Sequence, residues 1–269
     1  MTIPATSLQV PATSAASREM TAAELDRAGL LHAGENVVIS RFAVFVPADE
    51  LGVTCPVVVG DSVRIGAFAV VHGGTTIAER ARIEEHAVVG KPEHGYALGQ
   101  IRSGHGGGTA IGAGVVIRCG AVLYADVGIG ADTVVGHHTV LRTGVRIGAD
   151  TQLGHHLCVE RDTRIGGGVR CSPGSHITSS AVLSDRVFLG AGVRTINDKK
   201  LIWRDPHREP TLLAPQFGTG ARVGSGSVIL AGVTVGAHAL VGAASLVTRD
   251  VPPGALAYGH PARVHGEAP

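Results

Sequence analysis

Fourteen histidines are spread through the 269 residues, and four of them form two adjacent pairs, His137-His138 and His155-His156. The pairs lie 18 residues apart. An imidazole near neutrality exchanges protons, donates or accepts a hydrogen bond, stacks on a flat neighbour or ligates a metal. A pair repeated at a fixed interval therefore has three readings: a stacked surface ladder, a general base at a substrate site, or a metal-ligating edge. A second group of reactive or recognition residues lies in 195–218, TINDKKLIWRDPHREPTLLAPQFG. There Asp198 suits an ammonium or hydroxyl, Asn197 supplies a donor, and Lys199 and Lys200 suit anions. The sole tryptophan, Trp203, marks the segment as an ordered loop that packs on a neighbour. His176 is a further candidate for binding a substrate. A third group, Lys91, His94, Tyr96, Arg102 and His105, falls in the glycine-rich run 90–110.

What positions these residues is a repeat. Aliphatic residues recur every sixth position from Val59 to Val89, resume at Ile111, run unbroken to Leu189 with Cys171 as the one departure, and return from Val223 to Val247. Glycine commonly follows the aliphatic residue, as at Gly66, Gly136, Gly154 and Gly224. Four residues after it the side chain is small or β-branched, as at Thr75, Ala121, Thr139 and Ser175, with Leu157 the exception. A period of six is neither helical nor simple alternation. It fits a short strand and a sharp corner, with one large and one small inward residue per side. Three sides close an 18-residue triangular coil, and stacked coils pair as parallel strands about 4.8 Å apart. The expected class is all-β, a parallel β-helix with two inserted loops. On this register His137 stacks beneath His155 and His138 beneath His156, all at outward corner positions.

Composition agrees. Aromatic residues make up 3% of the chain against 44% hydrophobic in all, so the core must rest on Val, Ile, Leu and Ala. A net charge of +1 argues against nucleic-acid or anionic-membrane partners. No apolar run approaches a membrane-spanning length, and residues 1–18 lack the basic and apolar regions of a secretory signal. Cys55, Cys119, Cys158 and Cys171 have no CxxC spacing and read as reduced thiols in a cytoplasmic protein. The expected organisation is a leader over 1–34, a β-helix over 35–250 interrupted near 90–110 and 195–218, and a tail over 251–269. Within the leader, Thr21 to Leu31 is expected as a capping helix with a Thr21/Glu24 capping box.

The [LIV]-G-x-x-[STAV]-x pattern resembles that of the hexapeptide-repeat acyltransferases, and left-handedness of the coil is implied by that resemblance alone. The run from Val223 to Val264 is similar to the end of hexapeptide acetyltransferases, with Arg249-Asp250-Val251-Pro252-Pro253 and then Gly259-His260-Pro261-Ala262-Arg263. His260 stands where the family commonly has Asn. The stretch Val187 to Asp198 resembles the segment before the acceptor loop of N-acetyltransferases acting on nucleotide-linked amino sugars.

The resemblance implies a homotrimer with sites between subunits, acetyl-CoA or another acyl-CoA as co-substrate, and an amino-sugar acceptor. It implies a pantetheine arm near Gly242, Ala243 and Ala244, with phosphates met by Arg249, Arg263 and Lys199. It places a catalytic histidine two residues after its anchor, which favours His137 and His155 over His138 and His156. In the lipid A enzymes of the family the corresponding position falls near Thr143. O-acetylation of a sugar or small alcohol is the alternative. No metal is expected: a γ-carbonic-anhydrase-like centre needs an H-x4-H pair plus a third histidine, and that spacing occurs only at His260 and His265 in the tail. A non-catalytic β-helix scaffold is the remaining reading, and the retained Arg249-to-Arg263 motif argues against it.

Overall fold

The structure is a computed structural model that describes residues 18–49, 51–94, 101–102, 108–200 and 211–269. Strands of two to three residues alternate with two-residue turns, and their pairing assembles three long parallel sheets. We call these face 1, starting at Leu31–Ala33; face 2, starting at Val38–Ile39; and face 3, starting at Val44–Val46. The chain runs from face 1 to 2 to 3 and back to 1 one rung higher. Pairing is at the 18-residue spacing: Gly128 opposite Arg146 on face 1, Val134 opposite Gln152 on face 2, Val140 opposite Cys158 on face 3. The architecture is the left-handed parallel β-helix.

The repeat positions explain why this sequence closes. The aliphatic anchors point inward and are buried in one continuous column system, including Ile83, Ile117, Val135, Leu141, Val159 and Ile177. The small inward positions carry several threonines and serines, which is tolerable only if their hydroxyls are satisfied. They are. Thr139 Oγ1 donates to the Gly154 carbonyl at 2.8 Å and accepts from the Leu157 amide at 3.2 Å. Thr133, Thr151 and Ser227 repeat that double bond.

The corners need two different backbone allowances. The third residue after the anchor adopts positive φ, as at His138 (54°) and His156 (56°). The residue directly after the anchor lies so close to the next rung that a β-carbon on Gly136 would overlap the Gly154 carbonyl.

The N-terminal helix is shorter than expected. It covers Ala22–Arg27, with the Thr21/Glu24 capping box formed in both directions. Gly29 at φ 70° ends it, and Leu31, expected as helical, instead pairs with Val57 in the first strand of face 1. Leu25 is fully buried beneath the first coil, so the helix plugs that end of the prism. At the other end the expected tail is partly a further rung. Ala255–Gly259 pairs parallel with Leu240–Val241, then turns into an antiparallel hairpin with Ala262–Glu267. No helix among the described residues is long and apolar enough to cross a membrane.

Both interruptions leave at the same corner, between faces 3 and 1. The first departs after Val88–Lys91 and returns at Ala110–Ile111, opening with an antiparallel pair, Glu93–His94 against Ile101–Arg102. The second departs after Arg194–Thr195 and returns at Gln216–Phe217.

The two kinds of corner glycine should respond differently to a β-carbon. Gly174 has φ 71° with nothing within 4 Å of an added methyl, so Gly174→Ala should cost only about 1–2 kcal/mol of backbone strain. Gly136→Ala forces backbone against backbone and should cost roughly 3–5 kcal/mol, in the range of severe core lesions. Thermal denaturation of the two variants side by side reads the difference; equal shifts would discard this account of the corners.

Candidate functional site

Every outward residue sits in a column with the residue 18 positions on, so the corners read as vertical stripes. On the corner between faces 2 and 3, the second position after the anchor carries Cys119, His137, His155 and Pro173 on successive rungs, and the third carries Gly120, His138, His156 and Gly174. The expected stacking is present in both stripes. The His138 and His156 rings lie 5.2 Å apart and nearly parallel (13°), whereas His137 and His155 lie 5.0 Å apart and are tilted by 33°.

The two stripes differ in what they ask of a ring. Lower on the stripe of His138 the same stack is made by Phe42, Phe68 and His86, with centroids 5.5 and 5.1 Å apart. Phenylalanine has no acid–base chemistry, so the rings on this stripe need only stack. The other stripe is more specific. The backbone N–H of His137 donates to Nδ1 of His155 at 3.0 Å. A neutral imidazole that accepts at Nδ1 carries its proton on Nε2 and presents a donor there. His155 also lines a groove of about 390 Å³ on face 2, together with Arg118, Gln152, Arg170 and Pro173. Arg118 is itself held by Glu84 Oε1 at 2.6 Å, while Glu84 Oε2 accepts from the Cys119 amide at 3.3 Å.

The remaining expected residues lie elsewhere. Asn197 and Asp198 sit at the root of the second insertion, on the corner between faces 3 and 1. Asn197 Nδ2 donates to Ser179 Oγ one coil below at 3.3 Å, and its carbonyl accepts from Leu213. Asp198 Oδ1 accepts from the Lys200 amide at 2.8 Å, which shapes the departing turn. Lys199 and Lys200 are exposed beside it. Trp203 and His207 lie outside the described residues, as do Tyr96 and His105.

Gly242, Ala243 and Ala244 are on the histidine corner, four rungs above His155, or about 19 Å at the strand spacing. The Gly242 amide is engaged by the Ala257 carbonyl at 2.8 Å, and the Tyr258 side chain lies against its α-carbon, so Ala243 and Ala244 are the exposed pair. Arg249 follows the last strand of face 3 and Arg263 belongs to the final hairpin on face 2; both are exposed.

A third arrangement was not expected. The first insertion sends Glu93, almost wholly buried, up face 3 to Arg142. Arg142 binds Glu93 on one side, with Nε 3.1 Å from Oε1, and Glu160 on the other, while the Thr143 amide donates to Glu93 Oε2 at 3.0 Å. Glu160 then faces His176 Nε2 at 3.5 Å. Burial pushes the Glu93 carboxyl up, but the Thr143 amide and the Arg142 guanidinium more than offset it and hold the group below the ordinary carboxylate range. Hydrogen bonding to Cys158 and Glu160 pushes His176 up to about 9 against its burial. These neighbours favour the protonated form of His176, which suits it to hold an anion or donate a proton.

The family model for the bacterial transferase hexapeptide (six repeats) matches residues 56–91, which lie in the first coils of the β-helix. Over those residues the six-residue period is that of the bacterial transferase hexapeptide. The repeat chain is 55% identical over 47 residues to dTDP-3-amino-3,6-dideoxy-alpha-D-galactopyranose 3-N-acetyltransferase of Aneurinibacillus thermoaerophilus, covering 18% of this chain and 24% of that one. It is 42% identical over 77 residues to the bifunctional protein GlmU of Heliobacterium modesticaldum, covering 29% of this chain and 15% of that one. The chain thus spans a quarter or less of the length of these relatives. A solved structure of Arabidopsis UDP-N-acetylglucosamine acyltransferase aligns with 86% of this chain and 73% of its own, at 15% identity and a TM-score of 0.45.

The ion-pair chain supplies its own test. Glu93 titrates lower in the folded state than in the unfolded one, so its stabilisation is complete above the unfolded pKa and is lost as pH falls through the folded one. Arg142→Ala leaves that buried carboxylate without its cation and should cost roughly 3–5 kcal/mol at pH 7. The deficit relative to the unsubstituted protein should narrow below pH ~4.5, where the carboxylate takes up a proton. Denaturation midpoints of both proteins across pH 3–8 read this directly; a pH-independent deficit would assign the loss to packing instead.

Proposed function

We propose that this chain is a CoA-dependent acyltransferase that transfers an acetyl group from acetyl-CoA to the amine of an amino sugar, with a nucleotide-linked sugar as the favoured acceptor. The observation that carries this reading is His155, fixed by a backbone amide at the edge of a groove that Arg118 and Arg170 also line. Guanidinium groups suit the phosphates of CoA or of a sugar nucleotide. The name of the Aneurinibacillus relative, an N-acetyltransferase of an amino sugar carried on dTDP, supports the same substrate class.

The chemistry needs a neutral amine, a route for its proton and donors for the oxyanion that forms when the amine attacks the thioester carbonyl. With Nδ1 engaged by the His137 amide, His155 serves as a donor through Nε2 to that oxyanion. His137, with a ring nitrogen within 4.8 Å of the Cys119 sulfur and a Glu84 carboxylate oxygen, is the better placed of the two to receive a proton. His138 and His156 keep the edge stacked. Asn197 and Asp198 orient the acceptor amine, and Ala243, Ala244, Arg249, Arg263 and Lys199 meet CoA.

The histidine edge and the Asn197 edge flank face 3 on opposite sides of the prism. A site using both is completed from a second copy of the chain, which is the reason to propose a homotrimer with its sites between subunits.

Release of free CoA thiol, followed with acetyl-CoA and a panel of amine and hydroxyl acceptors, tests the reading. Turnover is expected with amino-sugar acceptors; turnover confined to hydroxyl acceptors would convert the proposal to O-transfer. Absence of both turnover and CoA binding would end it. His155→Ala and Asp198→Ala should each lower kcat/KM more than about tenfold. His155→Gln, which keeps an N–H donor, should retain more activity than His155→Ala if the role is donation.

A further inference from the structure

We infer that Cys158, Glu160 and His176 form a binding site for a single borderline-soft divalent cation, of which Zn²⁺ is the type, on face 3 between the roots of the two insertions. The sequence brings these donors together through the coil. Cys158 and Glu160 flank the inward Val159 on one rung, so both side chains point out of the same face. His176 is the strand partner of Cys158 on the next rung. All three side chains are half-buried, and their donor atoms lie within 4.8 Å of one another.

The spacing is near that of a coordination sphere. Zn–S, Zn–N and Zn–O bonds of about 2.3, 2.05 and 2.0 Å at tetrahedral angles require N···O near ~3.3 Å and S···O near ~3.5 Å. Here His176 Nε2 is 3.5 Å from Glu160 Oε1, and Cys158 Sγ is 4.0 Å from the same oxygen. A shift of a few tenths of an ångström closes the shell. A single ring nitrogen of His176 also lies within 4.8 Å of both the thiol sulfur and a carboxylate oxygen. A nucleophile relay would instead place the thiol and the carboxylate on opposite ring nitrogens, so the arrangement is that of a chelate.

What holds the carboxylate in place is the ion-pair chain behind it. Glu160 Oε2 is bound by Arg142, which is in turn anchored by the buried Glu93, and this leaves Oε1 aimed at the other two donors. Carboxylates that ligate metals are commonly fixed by such partners. Charge fits as well: Glu93, Arg142 and Glu160 sum to −1, and ionised Cys158 with His176 neutral in the bound state makes −2, which a divalent cation neutralises. On binding, the Cys158 thiol and the protonated His176 imidazole each lose a proton to water, and the sulfur and the freed ring nitrogen form the metal bonds. Three protein donors leave a fourth position for water or a ligand atom.

A second group of the same composition, Glu84, Cys119 and His137, exists on the histidine corner. There both Glu84 oxygens are already engaged, by Arg118 and by the Cys119 amide, so it is the weaker chelate and the natural control.

The full-length protein, stripped with a chelator, is titrated with Co²⁺ and followed by absorption. One equivalent should produce the visible bands of a tetrahedral site together with a thiolate-to-cobalt charge-transfer band, and Zn²⁺ should bleach both. Cys158→Ser should abolish the charge-transfer band, His176→Ala should abolish the tetrahedral spectrum, and Arg142→Met should weaken binding about 10–100-fold. Cys119→Ser and His137→Ala should leave the spectrum unchanged.

Circular dichroism of each variant reports folding. The unsubstituted protein gives an independent readout: Zn²⁺ should slow alkylation of Cys158, located by peptide mass, without slowing that of Cys119. No cobalt–thiolate band and no protection of Cys158 would overturn the site. A band lost in Cys119→Ser but kept in Cys158→Ser would move it to the histidine corner and equally overturn it. None of these outcomes depends on acyl transfer.

Discussion

The whole structure depends on the backbone of one coil lying directly on the next at the spacing of parallel strands. The Val134 amide reaches the Thr151 carbonyl, the Gly136 amide reaches Leu153, and the same rungs repeat along all three faces. Two consequences are unavoidable. The residue after each anchor must be small wherever the corner is tight, because a β-carbon there meets backbone rather than a yielding side chain. And every outward side chain has a neighbour 18 residues away, about 4.8 Å above or below it. Chemistry on this scaffold therefore comes in stripes. A lone polar residue is a stripe of length one, and pairs such as His137 and His155 or Arg142 and Glu160 are its natural units.

The stripes differ in what the fold asks of them. The third corner position takes positive φ and accepts Phe, His, Gly and Ala in turn; a ring there gains stacking energy from its neighbour and no more is required of it. The stripe beside it, where one imidazole accepts a backbone hydrogen, fixes a tautomer. Two histidines adjacent in sequence thus have unlike surroundings, one set by stacking and one by a directional bond. This separates a structural ladder from a candidate site more sharply than the identity of the residues.

Much of this was legible in the sequence because the period of six is imposed by close packing, which leaves few alternatives. The anchors from Ile111 to Leu189, the corner glycines and the overlay of His137 on His155 all follow from it. The Thr21/Glu24 capping box was legible for the same reason, being local. Helix length was not: Leu30 and Leu31 look helical by composition, but Gly29 and the open edge of face 1 draw Leu31 into a strand. The chain Glu93–Arg142–Glu160 was missed. Half of it was visible, since Arg142 and Glu160 are opposite charges one coil apart at a position where glycine is common. Glu93 was not, because it reaches Arg142 from an insertion whose path no period describes.

That ion-pair chain also gives the insertions a physical meaning beyond that of loops on a prism. Both leave the corner between faces 3 and 1, from rungs five steps apart, or about 24 Å at the strand spacing. The first does not simply project into solvent. Its opening residues turn up the face, and Glu93 becomes buried at a rung two steps higher by pairing with Arg142. Burying a carboxylate is costly without such a partner, so the insertion's direction and the charge on face 3 are set together. Removing the guanidinium would release the base of the insertion as well as Glu160. The three donors of Cys158, Glu160 and His176 stand on rungs above that anchor and below the second insertion. A group bound there would share its face with the roots of both insertions. A rigid solenoid thereby makes two segments far apart in sequence answer to the same face.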